Sequence, residues 1–180
     1  NRHILLIPKR AMGRLWKPSF LIGLLLVLVL LQDQKGNLNL PGAENRILLI
    51  GALVFVLFFS LFTVLAQNMN YVQAFPDHIR LVTPFLRLKI SYRRIHSSHP
   101  VEFGQVYPPS EMSWGQKRIL KPFFKKTSLA LKLTGYPLSR RLLRFFLPTQ
   151  IFLPGSKGFL LLVEDWMALS NEIDSQAEAW

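Results

Sequence analysis

"LRLKISYRRI", residues 86–95, alternates apolar and polar side chains along its length. Leu86, Leu88, Ile90 and Tyr92 fall on one side, and Arg87, Lys89, Ser91 and Arg93 on the other. A period of two marks a strand with one buried face. Yet this strand follows closely on "ILLIGALVFVLFFSLFTVLA", residues 47–66, an unbroken run of 20 uncharged residues. That run has the length and composition of a transmembrane helix. The fold therefore turns on how a basic β-strand comes to stand beside a membrane.

Working back along the chain, "LWKPSFLIGLLLVLVLLQ" (15–32) reads as a first, shorter span. It leans on Lys17 to snorkel and on Trp16 to sit at the interface, with Pro18 in its first turn. A signal-peptide core is the alternative, but no small-residue cleavage site follows it, only "QDQKGN". Arg2, Lys9, Arg10, Arg14 and Lys17 precede the first span with no acid among them. The positive-inside rule then puts the N-terminus in the cytoplasm, and two crossings return the chain there. Residues 67–180 agree, with 15 Lys plus Arg against 8 Asp plus Glu. The expected organisation is a basic cytoplasmic segment 1–17, a transmembrane hairpin 18–66 (about 15–32 and 47–66, loop 33–46) and a cytoplasmic domain 67–180.

Composition narrows the chemistry. Half of the 180 residues are hydrophobic, 18% are charged, and the net charge is +12. Without cysteine there are no disulfides, thiolate nucleophiles, iron–sulfur clusters or cysteine-based zinc sites. The sequence opens on Asn1 rather than Met, as a processed or truncated chain would. Neither span holds an ionisable residue in its core. Ser60 and Thr63 are the polar side chains well inside, so a proton relay, ion pathway or pigment ligand is not expected. Gly51 and Ala52 could permit close helix contact, or simply face lipid. Four histidines occur, and "HSSH" (96–99) pairs two of them in an expected loop, too few for a metal site. No nucleophile elbow, P-loop or dinucleotide fingerprint is present, so neither an enzyme nor a cofactor is expected.

Beyond residue 66 the pattern becomes strand-like. "YVQAF" (71–75), "HIRLV" (78–82) and the opening stretch form an expected antiparallel meander, punctuated by Pro76-Asp77 and Thr83-Pro84. "VEFGQVY" (101–107) is a fourth strand or an irregular segment, and "YPPSEMSWGQ" is loop-like. "TSLALKLTGY" (127–136) alternates again. "TQIFLPGSKGFLLLV" reads as a hairpin of strands "QIFL" and "FLLLV". "EDWMALSNEID" starts a helix with Trp166, Leu169 and Ile173 on one face and Glu164 and Asp165 in its first turn.

The stretches "YVQAFPDHIRLVTPFLRLKISYRRI" and "TQIFLPGSKGFLLLVEDWMALSNEID" together resemble the PH-like domains of small bacterial membrane proteins. The resemblance implies a two-helix transmembrane hairpin followed by a small PH-like antiparallel β-barrel, capped by a C-terminal α-helix. Segments 101–126 and 137–147 would be insertions in it.

Two segments interleave bases with aromatics. "WGQKRILKPFFKK" (114–126) carries Lys117, Arg118, Lys121, Lys125 and Lys126, and "PLSRRLLRFFLP" (137–148) carries Arg140, Arg141 and Arg144. On a helix, Leu142, Leu143 and Phe146 share a side. Such segments suit a membrane interface, where bases meet anionic lipid headgroups, or an acidic partner protein. Arg93 and Arg94 join this candidate surface. Single-stranded nucleic acid is a minor alternative without a supporting motif. The C-terminal tail is acidic and either crosses the basic face or is solvated. The expectation is a non-catalytic accessory subunit of a larger bacterial inner-membrane complex, bound to other membrane subunits. An energy-transducing electron-transfer complex is one host. The alternatives are a free-standing membrane-anchored lipid sensor or scaffold and, more remotely, an assembly factor.

Overall fold

A computed structural model describes residues 1–34 and 43–178. The loop expected between the spans therefore falls largely outside the described residues. The chain divides into two compact units, Ala11–Gln67 and, together, Asn1–Arg10 with Asn68–Trp180.

The first unit is helical. Helix α1 runs Leu6–Gln34 and α2 runs Ala43–Asn68. Within them, Leu6–Asp33 and Glu44–Gln67 are long and apolar enough to cross a membrane. Because α1 begins at Leu6 rather than near Leu15, Pro18 lies inside the helix, where its ring removes a backbone bond. Ser19 Oγ donates to the Leu15 carbonyl at 2.7 Å, a side-chain bond one turn back along the same helix. The helices approach closely at buried Gly23, where a Cβ would rest on Val56 and Leu57 at 3.5 Å. Gly51 and Ala52 are instead exposed, and a Cβ on Gly51 would meet nothing. Thr63 Oγ1 donates to the Ser60 carbonyl at 2.8 Å, so this buried hydroxyl is satisfied within its own helix. Arg46 grips Asp33 at 2.9 Å, joining the loop-proximal ends of α1 and α2.

The second unit holds two antiparallel sheets. Strands β1 (His3–Ile4), β2 (Tyr71–Ala74), β3 (His78–Thr83) and β4 (Leu86–Ser91) pair in sequence order. Strand β5 (Ile95–Glu102) is followed by the single helical turn α3 (Phe103–Val106) and by α4 (Trp114–Leu120). Strand β6 (Thr127–Leu133), helix α5 (Arg140–Phe146), strand β7 (Gly158–Leu161) and helix α6 (Trp166–Glu178) complete it. The second sheet has the order β5-β6-β7.

The meander forms as its alternation requires: Ile79 lies opposite Ile90 and Leu81 opposite Leu88, all buried, while Arg87 and Lys89 face outward. The expected closed barrel is not what forms. Among the described residues β4 and β5 do not pair, and the two sheets remain separate. The opening stretch breaks at Ser91, and a 3-10 turn at Tyr92–Arg94 carries the chain to the second sheet. Tyr92 keeps its inward face: it is buried and its hydroxyl donates to the Phe75 carbonyl at 2.7 Å. That bond pins the corner.

The inner faces of both sheets share one core, in which Val72, Ile79, Leu88 and Ile90 meet Leu129, Leu131, Phe159 and Leu161. Leu169 and Ile173 of α6 close it, with Trp166 alongside, as their spacing foretold. Helix α6 starts at Trp166, so Glu164 and Asp165 precede its first turn. Asp165 instead caps it, accepting from Ala168 N at 2.9 Å. The outer face of β6 and β7 builds a second core, where Ala130 and Leu160 meet Leu6, Ile7, Phe103, Leu120 and Phe123. Burial on both faces explains why "FLLLV" is continuously apolar instead of alternating. The expected partner strand "QIFL" is mostly a 3-10 turn at Thr149–Ile151, left with one bridge, Phe152 to Phe159. Pro148 and Pro154 bracket it and restrict its ladder. Gly155 makes the turn with φ 75°.

The N-terminal residues are built into this unit. His3 and Ile4 pair with Val72 and Tyr71. Leu5 N donates to Asn70 O at 3.0 Å and Leu6 N to Leu162 O at 2.9 Å. The chain thus leaves for the helical hairpin and returns from it at neighbouring points. Asn1 Nδ2 and His3 Nε2 lie 2.7 and 3.2 Å from the Glu172 carboxylate, tying β1 to α6. Burial acts to raise the Glu172 pKa, but these hydrogen bonds and the His3 charge outweigh it and hold the carboxyl below its ordinary value.

Gly158 sits where a Cβ would collide with the Leu131 carbonyl and the Leu153 side chain. Gly158→Ala is expected to disrupt β6–β7 pairing and lower the melting temperature of the detergent-solubilised chain sharply. Gly115→Ala, into open space on α4, should leave the fold intact and raise the melting temperature slightly, since alanine favours the helix over glycine. Burial, followed by the charges of Asp77 and Glu172, pushes the Tyr92 phenol from 10.0 up to about 12. The folded state therefore keeps a proton that the unfolded chain releases, and stability falls as pH rises from 10 toward 12. Tyr92→Phe should cost about 1 kcal/mol at neutral pH and flatten that alkaline loss, as read by urea denaturation across pH.

Candidate interaction surface

The connection between β5 and β6 carries half of the predicted basic residues: Lys117, Arg118, Lys121, Lys125 and Lys126. It leaves the sheet at Phe103, which is fully buried and stacks near Tyr107 and Phe124, with ring centroids 5.6 and 6.4 Å away. Phe103 N donates to Lys126 O at 3.0 Å and Gly104 N to Phe124 O at 2.9 Å, so the two ends of the excursion are stitched together. Glycine is needed at 104 because a Cβ would stand 2.7 Å from the Phe124 carbonyl oxygen. Between these ends lies α4, inside a stretch read as partly loop-like. Ser113 and Gln116 form a reciprocal capping box that starts it, with bonds of 3.5 and 3.1 Å.

Helix α4 buries Leu120, and the following 3-10 turn buries Phe123. Its other side is left to Trp114, 76% exposed, and to Lys117, Arg118 and Lys121. With Pro109 and Phe124 these residues line an open, mainly apolar groove of about 550 Å³. The Arg118 guanidinium lies 5.5 Å from the Trp114 ring centroid. Lys125 and Lys126 are exposed just past the groove, at the return to β6. Behind it, Arg10 places its guanidinium 5.6 Å over the Phe123 ring, with a buried Nε that has no hydrogen-bond partner among the described residues.

Helix α5 carries the other three predicted bases, Arg140, Arg141 and Arg144, all exposed. The expected apolar side of Leu142, Leu143 and Phe146 is divided. Leu143 is fully buried and Phe146 half-buried, while Leu142 is 49% exposed and Phe145 83% exposed. The helix therefore presents two large apolar side chains outward among its arginines, as interfacial helices do. Tyr107 joins this region to the β5–β6 connection. Its hydroxyl lies 2.9 Å from Thr149 O and 2.6 Å from Phe152 O, one proton shared between two carbonyls. Burial and the Tyr136 phenol raise the Tyr107 pKa, and the charges of Arg140 and Arg144 partly oppose the rise. Those arginines are thus within electrostatic reach of Tyr107.

Arg94 holds the corner between the sheets: its Nη1 donates to Tyr136 O at 3.1 Å, and its carbonyl accepts from Thr134 N at 2.8 Å. Arg93 is exposed beside it. The structure brings Lys117, Arg118 and Lys121 together on one groove and leaves Arg93 and Arg94 at that corner. His96 and His99 lie within β5 instead of a loop, and among the described residues no cluster of three metal-ligating side chains occurs. Two acids of the C-terminal helix are engaged away from the groove: Glu172 is held by Asn1 and His3, and Asp174 accepts from Ser98 at 3.1 Å. Sequence reading missed Tyr107 and Pro109 as parts of this surface. Nothing in "YPPSEM" distinguishes them, because their role comes from contacts remote in sequence.

No family model matches the chain, and neither curated proteins nor solved structures give a significant match. Tyr107→Phe should lower stability by about 1 kcal/mol, since it takes the phenol donor from the Phe152 carbonyl while the Thr149 carbonyl still accepts from Phe152 N. Urea unfolding followed by circular dichroism would read the loss.

Proposed function

We propose that this chain is a non-catalytic accessory subunit of a larger bacterial inner-membrane complex, with both termini in the cytoplasm. The observation that carries this reading is the apolar surface of the two helices. Leu21 is 59% exposed, Phe55 68% and Phe58 69%, and such a surface needs lipid or neighbouring helices to cover it. The basic residues before the first span support the cytoplasmic assignment. Six strands after the two helices, arranged in antiparallel sheets and followed by a last helix, support the PH-like resemblance in element order. On this reading the helices attach to membrane subunits, and the basic face of the second unit meets headgroups or a partner. An electron-transfer complex is one host that would use such a subunit.

A second reading, a free-standing lipid-sensing or scaffold protein, is favoured by one feature: Leu142 and Phe145 are exposed on the same short helix as exposed Arg141 and Arg144. Native mass analysis after mild-detergent extraction from the source membrane separates the two. Co-purification at fixed stoichiometry with a large complex is the expected result. Recovery as a lone monomer or homo-oligomer would overturn the subunit reading in favour of the second.

A further inference from the structure

We infer that the groove on the β5–β6 connection binds one anionic glycerophospholipid of the surrounding leaflet. The inference rests on the membrane-bound reading above. The groove's volume of about 550 Å³ falls in the range of small-molecule sites, roughly 300–1,000 Å³. Its lining divides chemically. Trp114, Pro109 and Phe124 supply an apolar wall, and Lys117, Arg118 and Lys121 supply three cations with no acid among the lining residues. Among the described residues no carboxylate forms an ion pair with any of these three bases. An amphiphile with an apolar chain and a phosphate head satisfies both halves at once. A soluble anion would leave the apolar wall wet, and a neutral lipid would leave the three charges unmatched.

The chain's own acidic helix is not the occupant, since Glu172 and Asp174 are engaged by Asn1, His3 and Ser98. The groove's supporting layer also holds the start of α1: Leu6 and Ile7 share a core with Leu120 and Phe123, and Arg10 lies over Phe123. Only a few residues of helix separate Arg10 from Trp16 and Lys17, the pair read as interfacial. Trp114, bare to solvent yet braced by Arg118, is the amphipathic anchor typical of a membrane–water boundary.

The test uses the full chain in nanodiscs of phosphatidylcholine, doped with phosphatidylglycerol or phosphatidylcholine carrying brominated chains. Tryptophan quenching is compared between wild type and Trp114→Phe, so that the difference isolates Trp114. The expected result is quenching of Trp114 by brominated phosphatidylglycerol, displaced by the unbrominated lipid and untouched by inorganic phosphate. In the combined variant Lys117→Gln, Arg118→Gln and Lys121→Gln, apparent affinity should fall on the order of a hundredfold. Equal quenching by phosphatidylcholine would overturn the inference, as would displacement by phosphate alone. If quenching is the same in Trp114→Phe as in wild type, so that it comes from the other tryptophans, the groove serves something other than lipid, and the membrane reading survives. Failure of the chain to enter nanodiscs would instead sink the membrane reading itself. The contrast between the two lipids on wild type keeps the test decisive even if the triple variant folds poorly.

Discussion

Strands β6 and β7 are buried on both faces, and the rest of the second unit is arranged around that demand. A two-stranded core of leucines must be covered twice or it exposes apolar surface to water. The first sheet and α6 cover the inner face. The outer face is covered by the β5–β6 connection together with Leu6 and Ile7, the first residues of α1. One consequence is that an excursion expected to be a mere insertion is a structural layer. Another is that the N-terminal residues, expected to be a separate basic segment, belong to the same unit.

This arrangement joins stability to the proposed role. The layer that seals the second core on one side carries the groove and its cations on the other. Buried Leu120 and Phe123 fix α4 in place, so that Trp114, Lys117, Arg118 and Lys121 are held outward by a packed scaffold. Tyr107 extends the scaffold to the 3-10 turn that follows α5, through the Thr149 and Phe152 carbonyls. The cations thus stand on rigid elements rather than on a loose loop.

Much of this was legible in the residues. The two apolar helices, the strands at 71–74, 78–83 and 127–133 and the α6 face all follow from local period. The segments that misled were those where tertiary contact overrode local pattern. "LRLKISYRRI" keeps its alternation through Tyr92, yet the chain turns at Ser91 because the Tyr92 hydroxyl reaches Phe75. "QIFL" looks like a strand, but its flanking prolines leave it one bridge. Leu142 shares a helical side with Leu143, yet only Leu143 finds a core to enter.

By itself the sequence determined what period and charge can encode: helix against strand, which strand faces are apolar, and where the bases cluster. Only the tertiary structure decided that the sheets stay separate, that β1 pairs with β2 from across the helical hairpin, and which bases share a groove. Each of those depends on residues far apart in the chain meeting in space. A periodic pattern specifies that a face must be buried, but it does not name the surface that buries it.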